Sequence, residues 1–256
     1  MSVFVIELAK LRALRSVWLA AGVLFVLPWI WSFAPDLPKV YGLALVSAYQ
    51  MPTLSLLTVM QFVLPLLVSV SVAELIGAEV TARTLATAVL RPVTRSQILA
   101  AKLAVALIYP LLLLAILLVS SLLAGARFGL GAFYGGSGLG AGGFAGLGLT
   151  SPALALGQIL RAYLLAWCSL LPVAALALLC AVWSLQTALA TLATIVALAA
   201  MRLLVVFPGI RPLLLTSHLD LYQAAPSTVG SSAVLLAIYL VLFVAGCFYL
   251  FDRRDL

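Results

Sequence analysis

Charged side chains are scarce in this sequence, which has seven acidic and fourteen basic residues among its 256. Charged residues make up 8% of the chain and apolar residues 66%. A soluble domain is about 25% charged and about 45–50% apolar. So little polar surface cannot cover a fold that faces water. The composition therefore excludes an ordinary soluble domain and predicts a protein whose solvent is lipid.

Residues that commonly catalyse reactions or bind metals are also scarce. There is one histidine, His218, and the three cysteines, Cys168, Cys180 and Cys247, have no metal-ligand or redox spacing. The sequence has no zinc-protease motif, nucleophile elbow or Walker A motif. We therefore expect no enzyme site, metal or cofactor in this chain. Nucleic-acid binding is not expected either, because the basic residues lie beside apolar blocks without interleaved aromatics.

What the sequence does contain is long, continuous apolar blocks. Six of them reach the roughly 20 residues that a helix needs to cross a bilayer. Their continuity favours helices over the strands of a barrel, which would alternate apolar and polar residues. We predict an all-α membrane protein with one transmembrane domain over residues 1–256, and a retained first span rather than a signal peptide. The predicted spans cover about 16–34, 53–75, 97–124, 157–183, 187–207 and 231–251.

The basic residues predict the orientation of these spans. Nine of the fourteen fall on one side of the predicted membrane. Because cytoplasmic loops carry an excess of lysine and arginine, both termini are expected in the cytoplasm. The nine are Lys10, Arg12, Arg15, Arg83, Arg91, Arg95, Lys102, Arg253 and Arg254.

Three segments outside the spans have a recognisable character. Residues 1–15 predict an interfacial helix, with Phe4, Leu8 and Leu11 on its apolar face and Glu7 among its polar residues. Residues 125–152 are rich in glycine, which predicts a mobile external loop. Residues 207–230 are apolar but interrupted by prolines, which predicts short re-entrant helices packed in protein before span six. A tight hairpin is expected at 184–187, between spans four and five.

Residues 77–95 form the only strongly charged internal segment. Glu79 and Arg83 are four residues apart, which favours a helix. Pro92 is expected to stop it, and Thr94 followed by Gln97 is typical of a capping box that opens span three. The pattern predicts a rigid cytoplasmic helix, a sharp turn and a capped re-entry.

Two polar stripes lie on predicted spans. Thr58, Gln61 and Ser69 share a face of span two with Pro65, and a second stripe recurs at helical spacing on span five. They are candidates for a translocation pathway, but hydroxyls that pack helices or bond their own backbone explain them equally. The span-five stripe is Thr187, Thr191 and Thr194.

Four ionisable residues lie in or beside the apolar blocks: Glu74, Lys102, Arg161 and Arg202. Charges at membrane depth are functional candidates by default. Each is close enough to a predicted end to reach the headgroups, and we expect Lys102 and Arg202 to do so.

The segment GAEVTARTLATAVLRPVTRSQILAAKL resembles the signature region of type-2 ABC-transporter permeases, notably the small sodium-efflux or copper-processing group. The family pattern has a glutamate, Gly-Thr, leucines, Pro-x-Ser/Thr-Arg and a lysine in the next span. Arg83 stands where the family has glycine, and the ending FDRRDL is also similar to that of these permeases. The matching positions are Glu79, Thr84, Leu85, Leu90, Pro92, Thr94, Arg95 and Lys102.

The resemblance implies the membrane subunit of an ATP-driven exporter. Two copies would pair, with a homodimer favoured over a heterodimer, and separate cytoplasmic ABC ATPase subunits would bind ATP and magnesium. These subunits would dock on a coupling helix at 77–95. The scarcity of charge in the spans favours a hydrophobic or amphipathic cargo. A membrane anchor or assembly factor, and a membrane-embedded lipid enzyme, remain the alternatives. The implied docking residues are Glu79, Arg83, Thr84, Arg91, Pro92, Thr94 and Arg95.

Overall fold

The computed structural model describes residues 3–34, 45–81, 94–139, 143–145, 148–224 and 226–253. Within these residues the chain forms eight α-helices, joined by short 3₁₀ helices and one pair of two-residue strands. Six helices are long and apolar enough to cross a membrane: α2, α4, α5, α6, α7 and α8. The protein is therefore an all-α multi-pass membrane protein, as its composition predicts. The helices are α1 (Val3–Ala13), α2 (Arg15–Phe33), α3 (Met51–Met60), α4 (Val63–Thr81), α5 (Arg95–Gly125), α6 (Pro152–Ser184), α7 (Thr187–Leu204) and α8 (Pro226–Asp252).

Helix α6 is the centre of the bundle. It packs against α4, α5, α7 and α8, and most of its second half is buried. Four alanines, Ala174, Ala175, Ala177 and Ala181, are buried there, and small residues of this kind let neighbouring helices approach closely. By contrast, α2, α7 and α8 expose large apolar side chains such as Trp18, Leu192 and Val241, which are 59–67% exposed. An apolar outer surface of this kind suits a surround of lipid rather than water.

The second predicted span differs from the expected limits of 53–75. The helix is interrupted at Gln61 and Phe62, so that α3 and α4 are separate and α4 continues to Thr81. The physical cause is Pro65, which has no N–H for the carbonyl of Gln61 and whose ring crowds that carbonyl. Periodicity alone does not locate such a break, since both halves are equally apolar.

Two predicted connections are confirmed. Thr94 and Gln97 form a reciprocal capping box at the start of α5, with each side chain bonded to the backbone of the other residue. Helices α6 and α7 are joined by Leu185 and Gln186 alone, and Leu185 adopts a left-handed conformation with φ of 55°.

The glycine-rich segment contains more structure than a mobile loop would. Strands β1 (Phe133–Tyr134) and β2 (Leu149–Thr150) pair antiparallel. The segment is tied to the 3₁₀ helix Ala48–Gln50 by the Gln50 amide, which donates to the Gly136 carbonyl at 3.0 Å. A 3₁₀ helix, Ala126–Phe128, precedes this hairpin, and another, Gly143–Ala145, lies between its two strands.

The segment before α8 folds into two 3₁₀ helices, Arg211–Leu213 and Leu215–Gln223. The second packs against α6, α7 and α8 and buries Leu215, Leu219 and Tyr222. Short helices packed in protein were expected here.

Candidate functional site

Four charged side chains from three helices meet at one end of the bundle. Glu7 and Lys10 come from α1, Glu79 from the last turn of α4, and Lys102 from the third turn of α5. We call these four residues the ion-pair cluster, and the end of the bundle that holds them the ion-pair end. Helices α4 and α5 flank the segment 82–93, so the cluster joins both sides of that segment to the N-terminal helix.

The cluster is a closed ring in which each lysine bridges both glutamates. The Lys10 Nζ lies 2.7 Å from Glu7 Oε1 and 2.5 Å from Glu79 Oε1. The Lys102 Nζ lies 2.8 Å from Glu7 Oε2 and 2.9 Å from Glu79 Oε2. It also donates to the Leu75 carbonyl at 2.9 Å. Both carboxylates therefore bind with both oxygens, and the two positive and two negative charges cancel.

Three of the four residues in the ion-pair cluster are buried, so their charged groups have little contact with water. Lys102 is fully buried, and Glu7 and Glu79 are 3% and 8% exposed. A buried ion is costly to desolvate, so each of these groups depends on its partners. Lys10 is more open, with 42% of its side chain exposed. Burial alone would lower the pKa of Lys10, but its bonds to Glu7 and Glu79 outweigh that effect and raise the pKa.

The local sequence explains how the four groups converge. Glu7 and Lys10 are three residues apart on one helix, so both face the same neighbour. The capping box at Thr94 fixes the start of α5, and Lys102 follows two turns later, where it reaches Glu7, Glu79 and the Leu75 carbonyl. A second polar contact lies nearby, where the Ser16 hydroxyl of α2 donates to the Glu74 carboxylate. Four helices are thereby tied together at this end.

The structure corrects two expectations about charge. Lys102 does not reach toward the headgroups: it is fully buried and bound to two carboxylates. Glu7 does not lie on a polar outer face of the first helix, since it points into the bundle beside Leu11. The reason in both cases is the neutral ring. Its ion pairs offset the desolvation cost that either charge would have if it were buried alone.

The residues predicted to contact an ATPase are placed as follows. Glu79 belongs to α4, with its carboxylate turned into the ion-pair cluster. Thr94 caps α5 and Arg95 is its first residue. Arg83, Thr84, Arg91 and Pro92, and with them most of the predicted coupling helix at 77–95, lie outside the described residues. Residues 77–81 continue the helix of the second span.

The hydroxyls of the predicted pathway bond to their own helices. Thr58 donates to Leu54 and Ser55, and Ser69 donates to Pro65 at 2.6 Å. Thr191 donates to Thr187 and Thr194 to Ala190, at 2.9 and 2.8 Å. Thr187 instead packs against Gly77, where an added Cβ would lie 2.0 Å from its Oγ1. These contacts agree with the packing interpretation of the stripes.

Gln61 is the exception among these residues. It lies at the break between α3 and α4, and its Oε1 accepts a hydrogen bond from Arg202 at 2.9 Å. Both side chains line a cavity of about 330 Å³ between α4, α7 and the 3₁₀ helix Leu215–Gln223. This cavity lies at the start of α4, whereas the ion-pair cluster lies at its other end.

Sequence reasoning missed Glu7 and Lys10 as functional candidates. Their spacing was visible, but an amphipathic surface helix explained it without any partner. A usable signal was the occurrence of a Glu–Lys pair in α1 beside a lone acid and a lone lysine at the facing ends of two spans. These four residues carry two positive and two negative charges, so the set is neutral although each residue alone is charged.

Within the part of the chain that the structure describes, no three histidine, cysteine or acidic residues group as metal ligands would. His218 donates through Nε2 to the Pro212 carbonyl at 2.9 Å, which is a local turn contact. The three cysteines are not bonded to one another as disulfides. What the described residues of this site offer is ion pairing and a mechanical connection between helices.

Comparison with known proteins gives a family but no activity. No curated protein matches the chain. A family model described as "Protein of unknown function (DUF2705)" matches residues 25–256, which include all six long apolar helices apart from the start of the first. The chain therefore belongs to the DUF2705 family.

Proposed function

We propose that this protein is the membrane subunit of an ATP-driven ABC exporter, working with separate ATPase subunits that bind ATP and magnesium. The observation that carries the proposal is the ion-pair cluster. It clamps α1, α4 and α5 together at the two points where the chain enters and leaves residues 82–93. A segment anchored in this way can pass a push from a partner to two spans at once.

The mechanical argument rests on stiffness at both ends of the segment. Glu79 is held two residues before the end of α4, and Thr94 caps the start of α5 with a reciprocal pair of hydrogen bonds. Lys102 links the two helices through Glu79. A force applied between them would move α4, α5 and α1 as a unit, whereas a flexible connection would absorb it.

In this proposal the residues have distinct roles. Arg83, Thr84, Arg91, Pro92 and Arg95 contact the ATPase, while Glu79 and Thr94 position the contact segment through the cluster and the cap. Two copies of the chain pair in a bacterial or archaeal plasma membrane, with both termini and the segment 77–95 in the cytoplasm. The cargo is a hydrophobic or amphipathic molecule.

The direct test is recovery of a partner ATPase. The chain is co-expressed with each ABC ATPase of its own organism in turn, purified through a tag, and the bound ATPase is quantified. We expect Arg91→Glu/Arg95→Glu to abolish recovery and ATPase stimulation. The matched control is Arg127→Glu/Arg211→Glu, which changes net charge equally at the opposite end of the bundle and should leave both unchanged.

Unchanged recovery with the Arg91/Arg95 variant would contradict this docking surface. If the wild-type chain recovers no ATPase at all, the exporter is ruled out and a membrane anchor or assembly factor becomes the better explanation. A cysteine introduced at residue 88 should react with a membrane-impermeant reagent only from the cytoplasmic side. Labelling from outside the cell would also overturn the proposal.

A further inference from the structure

The cavity at the break in the second span is the strongest feature that the exporter proposal leaves unexplained. It lies about 21 Å from the ion-pair cluster, since fourteen residues at about 1.5 Å each separate Pro65 from Glu79. Its walls are almost entirely apolar, with Leu66, Leu198 and Leu219 among them. At about 330 Å³ it is at the small end of the range for ligand pockets.

The helix break creates this cavity. Pro65 interrupts the backbone at Gln61 and Phe62, which separates α3 from α4 on the side that faces α7. Phe62 is 63% exposed and Leu203 is 75% exposed, so the cavity opens on the outer apolar surface. A molecule dissolved in the surrounding lipid can therefore enter it from the side.

One cation lies at the mouth of this apolar cavity. Arg202 has five N–H donors, and one of them binds Gln61 Oε1. Among the residues that the structure describes, no carboxylate forms an ion pair with Arg202. Asp220 is near enough to feel its charge: burial raises the pKa of Asp220, and Arg202 offsets part of that rise. The guanidinium thus keeps unused donors beside an apolar space, and its charge is offset only in part, by the Asp220 carboxylate with which it forms no direct ion pair.

A second, independent observation points to a ligand. Thr216 lines the cavity and is 4% exposed, yet its hydroxyl has no hydrogen-bond partner within the described part of the chain. A buried hydroxyl without a partner is costly, because it has lost water and gained nothing. A polar group of a bound molecule would satisfy it.

We propose that this cavity binds an anionic amphiphile, with a single hydrocarbon chain against the apolar walls and a carboxylate or phosphate at Arg202 and the Thr216 hydroxyl. The volume suits one chain, and the charge of Arg202 is complementary to such a headgroup. Binding itself does not depend on the exporter proposal. The role of the site as an entry point for cargo does rest on that proposed function.

The experiment measures binding to the purified chain in uncharged detergent, without any ATPase. The probe is 11-(dansylamino)undecanoic acid, whose fluorescence rises in an apolar site, and its methyl ester is the uncharged match. Oleic acid and oleoyl lysophosphatidic acid are the competitors that distinguish a carboxylate from a phosphate headgroup. We expect the acid to bind more tightly than the ester, and at least one competitor to displace it.

The variants separate charge from space. Arg202→Gln should weaken binding of the acid about tenfold, as expected for a lost bond to a charged group, and leave the ester unchanged. Ala199→Phe, which fills the cavity, should abolish binding of both. The matched controls are Arg211→Gln, and Ala200→Phe on the same helix outside the cavity lining. Both should bind like the wild type.

Several outcomes would overturn the proposal. These are equal affinity for acid and ester, wild-type binding by Ala199→Phe, or displacement by inorganic phosphate alone, which would indicate a small-anion site. Loss of a dimer in Ala199→Phe but not in Ala200→Phe would assign the cavity to a second copy of the chain. Because no ATPase is present, any of these results leaves the exporter proposal to its own test.

Discussion

The polar groups at the two ends of α4 differ in how far they are satisfied. At the ion-pair end, two lysines and two glutamates satisfy one another in a closed neutral ring. At the cavity end, Arg202 has one hydrogen bond to Gln61, and the Thr216 hydroxyl has none among the described residues. One end is complete in itself, and the other is incomplete without a further molecule.

This difference separates two kinds of role. A satisfied network fixes the relative positions of its helices, which suits the transmission of force. Unsatisfied groups at an open cavity cost stability in the free protein and favour binding. The comparison can be tested by asking at which end a substitution destabilises the fold and at which end it does not.

The largest effect is expected at Lys102. Lys102→Met leaves two buried carboxylates without their main partner and should lower the free energy of unfolding by about 3–5 kcal/mol. Denaturant unfolding in mild detergent measures this. Lys10→Met, which removes a partly exposed lysine from the same ring, should cost less. Equal stability of Lys102→Met and the wild type would contradict the structural role of the cluster.

A smaller loss is expected where α4 and α7 touch near the ion-pair end. In Gly77→Ala the new Cβ would lie 2.0 Å from Thr187 Oγ1 and 2.8 Å from its backbone nitrogen. Overpacking of this kind costs about 1–3 kcal/mol. Gly22→Ala is the control, because nothing lies within 4 Å of its Cβ. Thermal unfolding in detergent should show a lower midpoint for the first variant only.

Loss of the cap at α5 should have a smaller effect still. Thr94→Ala removes the side-chain half of the capping box and should destabilise the protein by about 1 kcal/mol. Thr94→Ser retains the hydroxyl and should behave like the wild type. The comparison of their unfolding free energies is informative because equal losses in both variants would indicate that the methyl group, and not the cap, matters.

At the cavity end the sign should reverse. Thr216→Val removes a buried hydroxyl that makes no hydrogen bond, so the ligand-free protein should be as stable as the wild type or slightly more stable. The same variant should bind 11-(dansylamino)undecanoic acid more weakly. Destabilisation comparable to that of Lys102→Met would remove the distinction between the two ends.

The smallest effect concerns pH. Since the folded pKa of Lys10 is raised above its ordinary value of 10.5, its stabilising contribution is complete below that pH and is lost as pH rises through the folded pKa. The difference in unfolding midpoint between the wild type and Lys10→Met should therefore be constant from pH 7 to about 9.5 and shrink above about 10.5. A difference that grows with pH would contradict this sign.

Local features of the fold were predictable because each depends on residues close together in the chain. The Thr94–Gln97 cap, the hairpin at Leu185 and the proline-broken segment before α8 all follow from adjacent side chains. The break at Gln61 was only half visible, since Pro65 was noted as part of a polar stripe and not as an interruption of the helix.

The long-range contacts were not predictable in the same way. The ring that holds Lys102 joins residues 7, 79 and 102, and no periodicity connects them. Lys102 and Glu7 were each assigned to the surface because a single charge is cheapest there. Burial of these charges becomes favourable only when all four groups pair with one another. Which groups can pair depends on which helices become neighbours.

By itself, the sequence determined that this chain resides in a lipid bilayer, that its spans are six helices, and where several of these helices begin and end. Hydropathy decides the spans over roughly 20 consecutive residues, and capping decides a helix start over about one turn, so neither depends on distant parts of the chain. The tertiary structure decided which charges are buried and which cavity stays open. Those depend on the rotation and separation of helices far apart in sequence, and the balance of desolvation against pairing exists only once the helices have packed.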